Sequence, residues 1–195
     1  MEREKNWYKV ILIAVLVLSL VFLFFENVNA ITGHATEGST TSNVTIEKYL
    51  AINFCTNLSE GIYFGSVDTL PANNINATHD YDGASSATTY CTIVSADSNT
   101  NIDFCTKANA GLTSLALEVI GLGNETYSNA TTTSVTVPEL ANQVSMTTSY
   151  VKSGNSIAPA GYNYYRFWLD ISAAQPSGDY NNSVSFKGVT TGLSC

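Results

Sequence analysis

Residues 162–171 read YNYYRFWLDI. The stretch holds no glycine or proline, and aromatic and branched side chains dominate it, the composition a half-buried strand requires. Side chains on a strand alternate between faces. Phe167, Leu169 and Ile171 therefore share one face, and Tyr164, Arg166, Trp168 and Asp170 share the other. The first face reads as core. The second reads either as another packed face or as an exposed aromatic row. In the latter case Tyr162, Tyr164 and Trp168 form a surface suited to carbohydrate or a protein partner. A Pro159-Ala160-Gly161 turn launches the strand, and AAQPSGD (173–179) ends it.

The same grammar extends along the chain. In VTIEKYLAINF (44–54), Val44, Ile46, Leu50, Ile52 and Phe54 fall on one face, with Lys48 out of place, so this segment reads as the first core strand. Ile62 and Phe64 repeat the pattern in GIYFG. TTYCTIV (88–94), NIDFCTK (101–107), SVTVPEL (134–140), VSMTTSYV (144–151) and YNNSVSFKGV (180–189) are further strand candidates. Turn-rich clusters separate them: DTLPANN, HDYDGASS, SADSNTN and VKSGNSIAPAG. AGLTSLALEVIGLG (110–123) fits both helical and strand spacing, and its flanking glycines favour strand or irregular structure. Many short strands with turn signals between them predict an all-β fold, an antiparallel immunoglobulin-like or jelly-roll-like β-sandwich.

The N-terminus has a different composition. Arg3, Lys5 and Lys9 precede or border the apolar run Val10 to Phe25, and Val28-Asn29-Ala30 offers small residues at a cleavage position. This is the order of an export signal. As a helix the run spans roughly 24 Å, short of the ~30 Å hydrocarbon core, which favours cleavage over an uncleaved anchor. The chain therefore divides into a signal helix over 1–30, a polar leader over 31–43 (ITGHATEGSTTSN) and a sandwich domain over 44–195. The expected location is extracellular or on the cell surface, with membrane contact only through the N-terminal segment before cleavage.

After Ala30 five basic residues (Lys48, Lys107, Lys152, Arg166, Lys187) face thirteen acidic ones, a net charge of −8 that equals that of the whole chain. Such a surface repels nucleic acid and anionic membrane. N-x-[ST] triplets at Asn43, Asn57, Asn76, Asn124, Asn129 and Asn181 mark acceptors for N-linked glycans, each of which must lie at the surface if used. Cys55, Cys91, Cys105 and Cys195 form an even set, which in an exported chain reads as two disulfides. If TTYCTIV and NIDFCTK are arms of one hairpin, Cys91 lies opposite Cys105, and Cys55 pairs with Cys195 by elimination.

Signals for chemistry are sparse. There is no C-x-x-C, and the only histidines are His34 and His79. No G-x-S-x-G, phosphate loop or informative carboxylate pair marks an active site, so catalysis is not expected and no cofactor is implied. Asp97, Asn99, Asn101 and Asp103 alternate as oxygen ligands do at the start of a calcium loop, though Ile102 stands where a glycine belongs. Asp80-x-Asp82-Gly83 is a second weak calcium candidate.

The stretch IAPAGYNYYRFWLDISAAQPSGDYNNSVSFKG, with its G-D-Y to V-S-F strand, looks like the closing hairpin of secreted immunoglobulin-like and pilin-like sandwiches. With the Gly61–Gly65 turn, the layout resembles archaeal secreted glycosylated surface proteins that include bundling-pilus subunits related to TasA-type matrix filaments. The resemblance covers about 50 residues at the C-terminus and about 20 near the start. It implies a structural subunit of a filament, pilus or envelope layer, a homo-oligomer in which Ile31 to Ile46 inserts as a donor strand into the next subunit. The rival expectation is a monomeric adhesion module that binds carbohydrate or a surface partner through the Tyr162–Trp168 row or the acidic turn residues.

Overall fold

The computed structural model describes residues 2–31, 41–78, 88–132 and 137–195. It divides into two compact units, residues 1–45 and 46–195. The first unit contains one long helix, α1 (Glu2–Ile31), which covers the expected signal segment. Among the described residues no helix is long and apolar enough to cross a membrane.

The second unit is built almost entirely of antiparallel strands. Its elements are β1 (Ile52–Phe54), the single turn α2 (Thr56–Ser59), β2 (Ala72–Asn76), β3 (Tyr90–Val94), β4 (Ile102–Ala108), β5 (Leu112–Ser114), β6 (Val119–Ile120), β7 (Glu125–Ala130), β8 (Val144–Ser145), β9 (Val151–Ile157), β10 (Tyr162–Ile171), β11 (Tyr180–Asn181) and β12 (Val184–Thr190). The stretch YNYYRFWLDI is β10, the central strand of the largest sheet, with order β1-β3-β10-β7-β8. The first half of β10 pairs with β3 and its second half with β2, while β7 pairs along the other side. A second sheet has the order β12-β4-β9, and a third the order β11-β5-β6. These two run in series. The Asn109 N–H donates to the Ser183 carbonyl at 2.9 Å, and the Ser183 N–H donates to Asn109 Oδ1 at 2.8 Å, which joins the β4/β12 pair to the β5/β11 pair.

The large sheet packs its inner face on this ribbon. In the middle, Tyr90, Tyr127, Tyr165 and Phe167 meet Ala108, Val184 and Phe186. Their rings prefer edge-to-face contact: Tyr90–Phe167 centroids lie 5.3 Å apart and Tyr165–Phe186 centroids 5.2 Å apart. At one end Val94, Ile102, Phe104 and Ile157 pack with Leu50 and Ile52. At the other, Leu112, Ile120 and Leu169 pack with Ile75, Ile171 and Tyr180. Burying each of these side chains contributes about 1.5–3 kcal/mol, which is why the inner face of β10 dictates the fold. A polar clamp crosses the same interior. The amide of the buried Asn163 donates to the Ser153 carbonyl at 2.8 Å, and the Tyr165 and Ser153 hydroxyls lie 3.0 Å apart. Burial raises the Tyr165 phenol to about 12, with the Ser153, Asn163 and Thr92 hydrogen bonds opposing the rise.

Several expectations are corrected. The predicted first strand shrinks to Ile52–Phe54, because residues 41–51 form no strand and Val44 and Ile46 are exposed. The backbone there is held by a side chain instead: Asn99 accepts from the Tyr49 N–H at 2.8 Å and donates to the Glu47 carbonyl at 2.9 Å. VKSGNSI, read as part of a turn cluster, is the seven-residue strand β9. Ala72–Asn76, whose first residues were read as turn, is β2. SVTVPEL yields no strand over its described residues, 137–140, and VSMTTSYV contributes only the short β8 and the first residue of β9. The ambiguous segment 110–123 forms the β5–β6 hairpin, in line with the strand reading.

Candidate functional site

The cysteine pairing differs from the expected one. Disulfides join Cys55 to Cys91 and Cys105 to Cys195, with Cα separations of 5.4 and 5.9 Å. The hairpin assumption failed because β3 and β4 enter different sheets: β3 pairs with β1 and β10, and β4 with β12 and β9. The Cys55 N–H instead donates to the Cys91 carbonyl at 3.0 Å, which sets those two side by side. In chain-entropy terms each bridge, closing 36 and 90 residues, contributes roughly 4 kcal/mol. Two disulfides and no free cysteine fit an oxidising, extracellular environment.

The tract proposed for calcium serves the fold. Asp97 is exposed in the turn after β3, and Asn99 holds the incoming chain as described above. Asn101 donates to the Ser156 hydroxyl at 3.1 Å. Asp103 is fully buried and fastens three segments of chain: Lys152 Nζ at 2.6 Å, the Ser156 N–H at 2.7 Å and the Gly192 N–H at 3.1 Å. Burial alone raises its carboxyl, but Lys152, the two N–H groups and the Thr191 hydroxyl outweigh burial and hold it down at about 2. Three of the four side chains are thus engaged by protein groups rather than turned to one ion. No group of three or more His, Cys, Asp or Glu side chains is arranged for a metal among the described residues. Asp80, Asp82, Gly83 and His79 lie outside the described residues, as does His34.

Asp103 also explains how the C-terminal segment sits. The Thr191 N–H donates to the Asn101 carbonyl at 3.0 Å, Gly192 binds Asp103, and Cys195 is bonded to Cys105 on β4. Residues 191–195 therefore close over the outer face of β4, against which Asp103 and Cys105 are buried. Beyond them, Lys107 and Lys187 lie 4.7 and 5.5 Å from the Tyr150 ring, and neither makes a salt bridge among the described residues.

The aromatic row divides. Tyr162 and Tyr164 stack with centroids 5.7 Å apart and an 8° interplanar angle, Tyr162 exposed and Tyr164 half-buried. Trp168 is only 1 % exposed and does not belong to a surface row. Arg166 lies over its ring at 5.1 Å and is fixed by donating to the Pro138 carbonyl at 3.1 Å and to Asn76 Oδ1 at 3.0 Å. Both faces of β10 are packed at that point, which a period-two pattern alone does not reveal.

The glycan acceptors lie in unlike settings. Asn43, Asn76, Asn129 and Asn181 are exposed, and Asn57 and Asn124 are half-buried. The Asn57 amide nitrogen, the atom that would carry sugar, donates to the Thr89 carbonyl at 2.7 Å. One group escaped the sequence reading: Glu125 on β7 is buried and its carboxylate takes the Asn182 amide, while burial pushes its carboxyl up. Nothing in the spacing around Glu125 distinguishes it from an exposed strand residue. No protein-family model matches the chain, and no curated protein matches it.

Proposed function

We propose that this chain is a structural surface protein, a subunit of a glycosylated filament, pilus or envelope layer exported through the general secretory route. The fold type it fits is an immunoglobulin-like or jelly-roll-like sandwich of the kind found in archaeal secreted surface proteins, including bundling-pilus and TasA-type filament subunits. The observation that carries this reading is the β12 edge. β12 is seven residues long and pairs only with β4 among the described residues. Beside it lies Phe54 of β1, partly exposed and in edge contact with Phe186 at 5.4 Å. An open strand flanked by exposed aromatic surface invites pairing with another chain unless something covers it. The leader 31–43, with residues up to Ile46, is the segment proposed to pair there in the next subunit. The two disulfides and six acceptor triplets suit a protein that endures outside the cell.

A monomeric binding module is the second reading, favoured by the stacked Tyr162–Tyr164 pair, which offers flat apolar surface to a sugar ring. Deleting residues 31–43 separates the two. Loss of multimers, with the disulfides and strand content unchanged, supports strand donation. Unchanged binding by a protein that was monomeric before the deletion supports the module.

A further inference from the structure

The β5–β6 hairpin carries an apolar tip. Leu115 is 97 % exposed and Leu117 81 % exposed, and Val119 beside them is exposed as well. Leu112 and Ile120 at the base of the hairpin are buried, so the tip is held rigidly and is not a frayed core segment. Leu117 sits at φ +66°, the left-handed region that strains a leucine, and a strained residue with its apolar side chain in solvent is a recurrent mark of a contact surface.

Within residues 46–195 the opposite end of β10 carries a matching patch. Ile46 is 78 % exposed, and Tyr49 and Leu193 are exposed. They lie together: Tyr49 is bonded to Asn99, Thr191 to Asn101, and the Leu193 N–H to the Thr190 carbonyl, all around the turn between β3 and β4. That turn adjoins the cluster of Val94, Ile102 and Ile157, at the start of β10, whereas the hairpin adjoins Leu169 and Ile171 at its end. The two apolar patches therefore stand at opposite poles, separated by the length of a ten-residue strand, roughly 33 Å.

We propose that the 115–119 tip of one copy docks on the Ile46/Tyr49/Leu193 pole of the next, which makes the association head-to-tail. The charges select this occupant. Glu118 lies within the tip, and neither it nor Lys48, which lies within the pole next to Glu47, makes a salt bridge among the described residues. Tip against tip sets Glu118 against Glu118. A bilayer of anionic lipid repels Glu118 and the neighbouring Asp179. Tip against pole sets Glu118 near Lys48. A contact between unlike patches at opposite poles does not close on itself and propagates as a line of subunits. The proposal deepens the filament reading and rests on it.

The test uses the full-length chain with both disulfides formed, in sedimentation velocity across rising concentration. L115S/L117S blocks the tip and I46S/L193S blocks the pole; all four residues are exposed. The wild type forms multimers that grow with concentration, and each variant alone associates at least about tenfold more weakly, as expected from loss of two buried aliphatic side chains. An equimolar mixture of the two variants forms dimers and nothing larger, which also shows that both variants are folded. Multimers of the tip-blocked variant equal to wild type overturn the proposal and leave the filament reading standing. Dimers of the pole-blocked variant alone overturn it in favour of tip-to-tip contact, and flotation with phosphatidylglycerol vesicles that depends on the tip overturns it in favour of a bilayer. A wild type that stays monomeric at every concentration overturns both the proposal and the filament reading.

Discussion

Replacing Asp103 with asparagine tests the claim that one buried carboxylate ties β4, β9 and the C-terminal segment together. Asp103 accepts from Lys152 Nζ, the Ser156 N–H and the Gly192 N–H. Asparagine keeps the shape but turns an NH₂ toward one of those donors and removes the charge. One charge-assisted bond is lost and one buried N–H is left facing a donor, a cost of roughly 3 kcal/mol at neutral pH. The pH dependence carries a definite sign. The folded carboxyl sits at about 2, below the ordinary 3.8, so its contribution is fully present above the unfolded value and is lost as pH falls through 4 toward 2. That part is worth about 2 kcal/mol at most, and less in practice because the Lys152 side chain is 43 % exposed and solvent screens the pair. Urea unfolding followed by circular dichroism, without reductant, gives wild type and Asp103→Asn at pH 7, 4 and 2. The gap between them should be widest at pH 7 and narrow at pH 2. A gap under about 0.5 kcal/mol at pH 7, or one that does not change with pH, would refute the reasoning.

Three further predictions follow from the same packing. Peptide mapping without reduction should recover Cys55 linked to Cys91 and Cys105 linked to Cys195; a Cys91–Cys105 peptide would contradict the two-sheet placement of β3 and β4. Gly154→Ala should lower stability by about 1–3 kcal/mol in a thermal melt, since a Cβ there comes within 2.9 Å of the Asn163 side chain, which its own bond to Ser153 prevents from moving away. An unchanged midpoint would mean that Asn163 has room. Glycopeptide mass spectrometry of the natively exported protein should find sugar on Asn76 and none on Asn57, whose amide nitrogen is bonded to Thr89; the reverse pattern would count against this placement of the α2 turn.

Where the sequence could be read, one side of each element met apolar neighbours and the other met water. The inner face of β10, with Phe167 and Leu169, is of this kind, and so is β4 with Ile102 and Phe104. The reading failed where polar groups do the structural work. VKSGNSI looks like a turn because it is rich in Ser, Gly and Asn. It is a strand because Asp103 binds Lys152 and Ser156 while Asn163 binds Ser153, and these partners lie about 50 and 10 residues away in the chain. VTIEKYLAINF alternates like a strand, yet Asn99 takes its backbone bonds and leaves Ile46 in solvent. Trp168 looked available for a ligand because no local pattern announces that Arg166 and Pro138 will meet over it. The disulfides were legible as a pair of bridges but not as a pairing, because that depends on which sheet each strand joins. Of the candidate site, the Tyr162–Tyr164 pair and the exposed acceptors were visible in the sequence, whereas the apolar tip at Leu115 and Leu117 was hidden in a segment with two competing periodicities.

The most direct test of the central claim, that this chain is a structural subunit, is negative-stain electron microscopy of the protein as its own cells export it, with an unboiled, unreduced gel in parallel. The account predicts filaments or regular arrays and a ladder of multimers. A single monomer band and a field of separate particles would contradict it, and would direct attention to Tyr162 and Tyr164 as the surface of a monomeric binder.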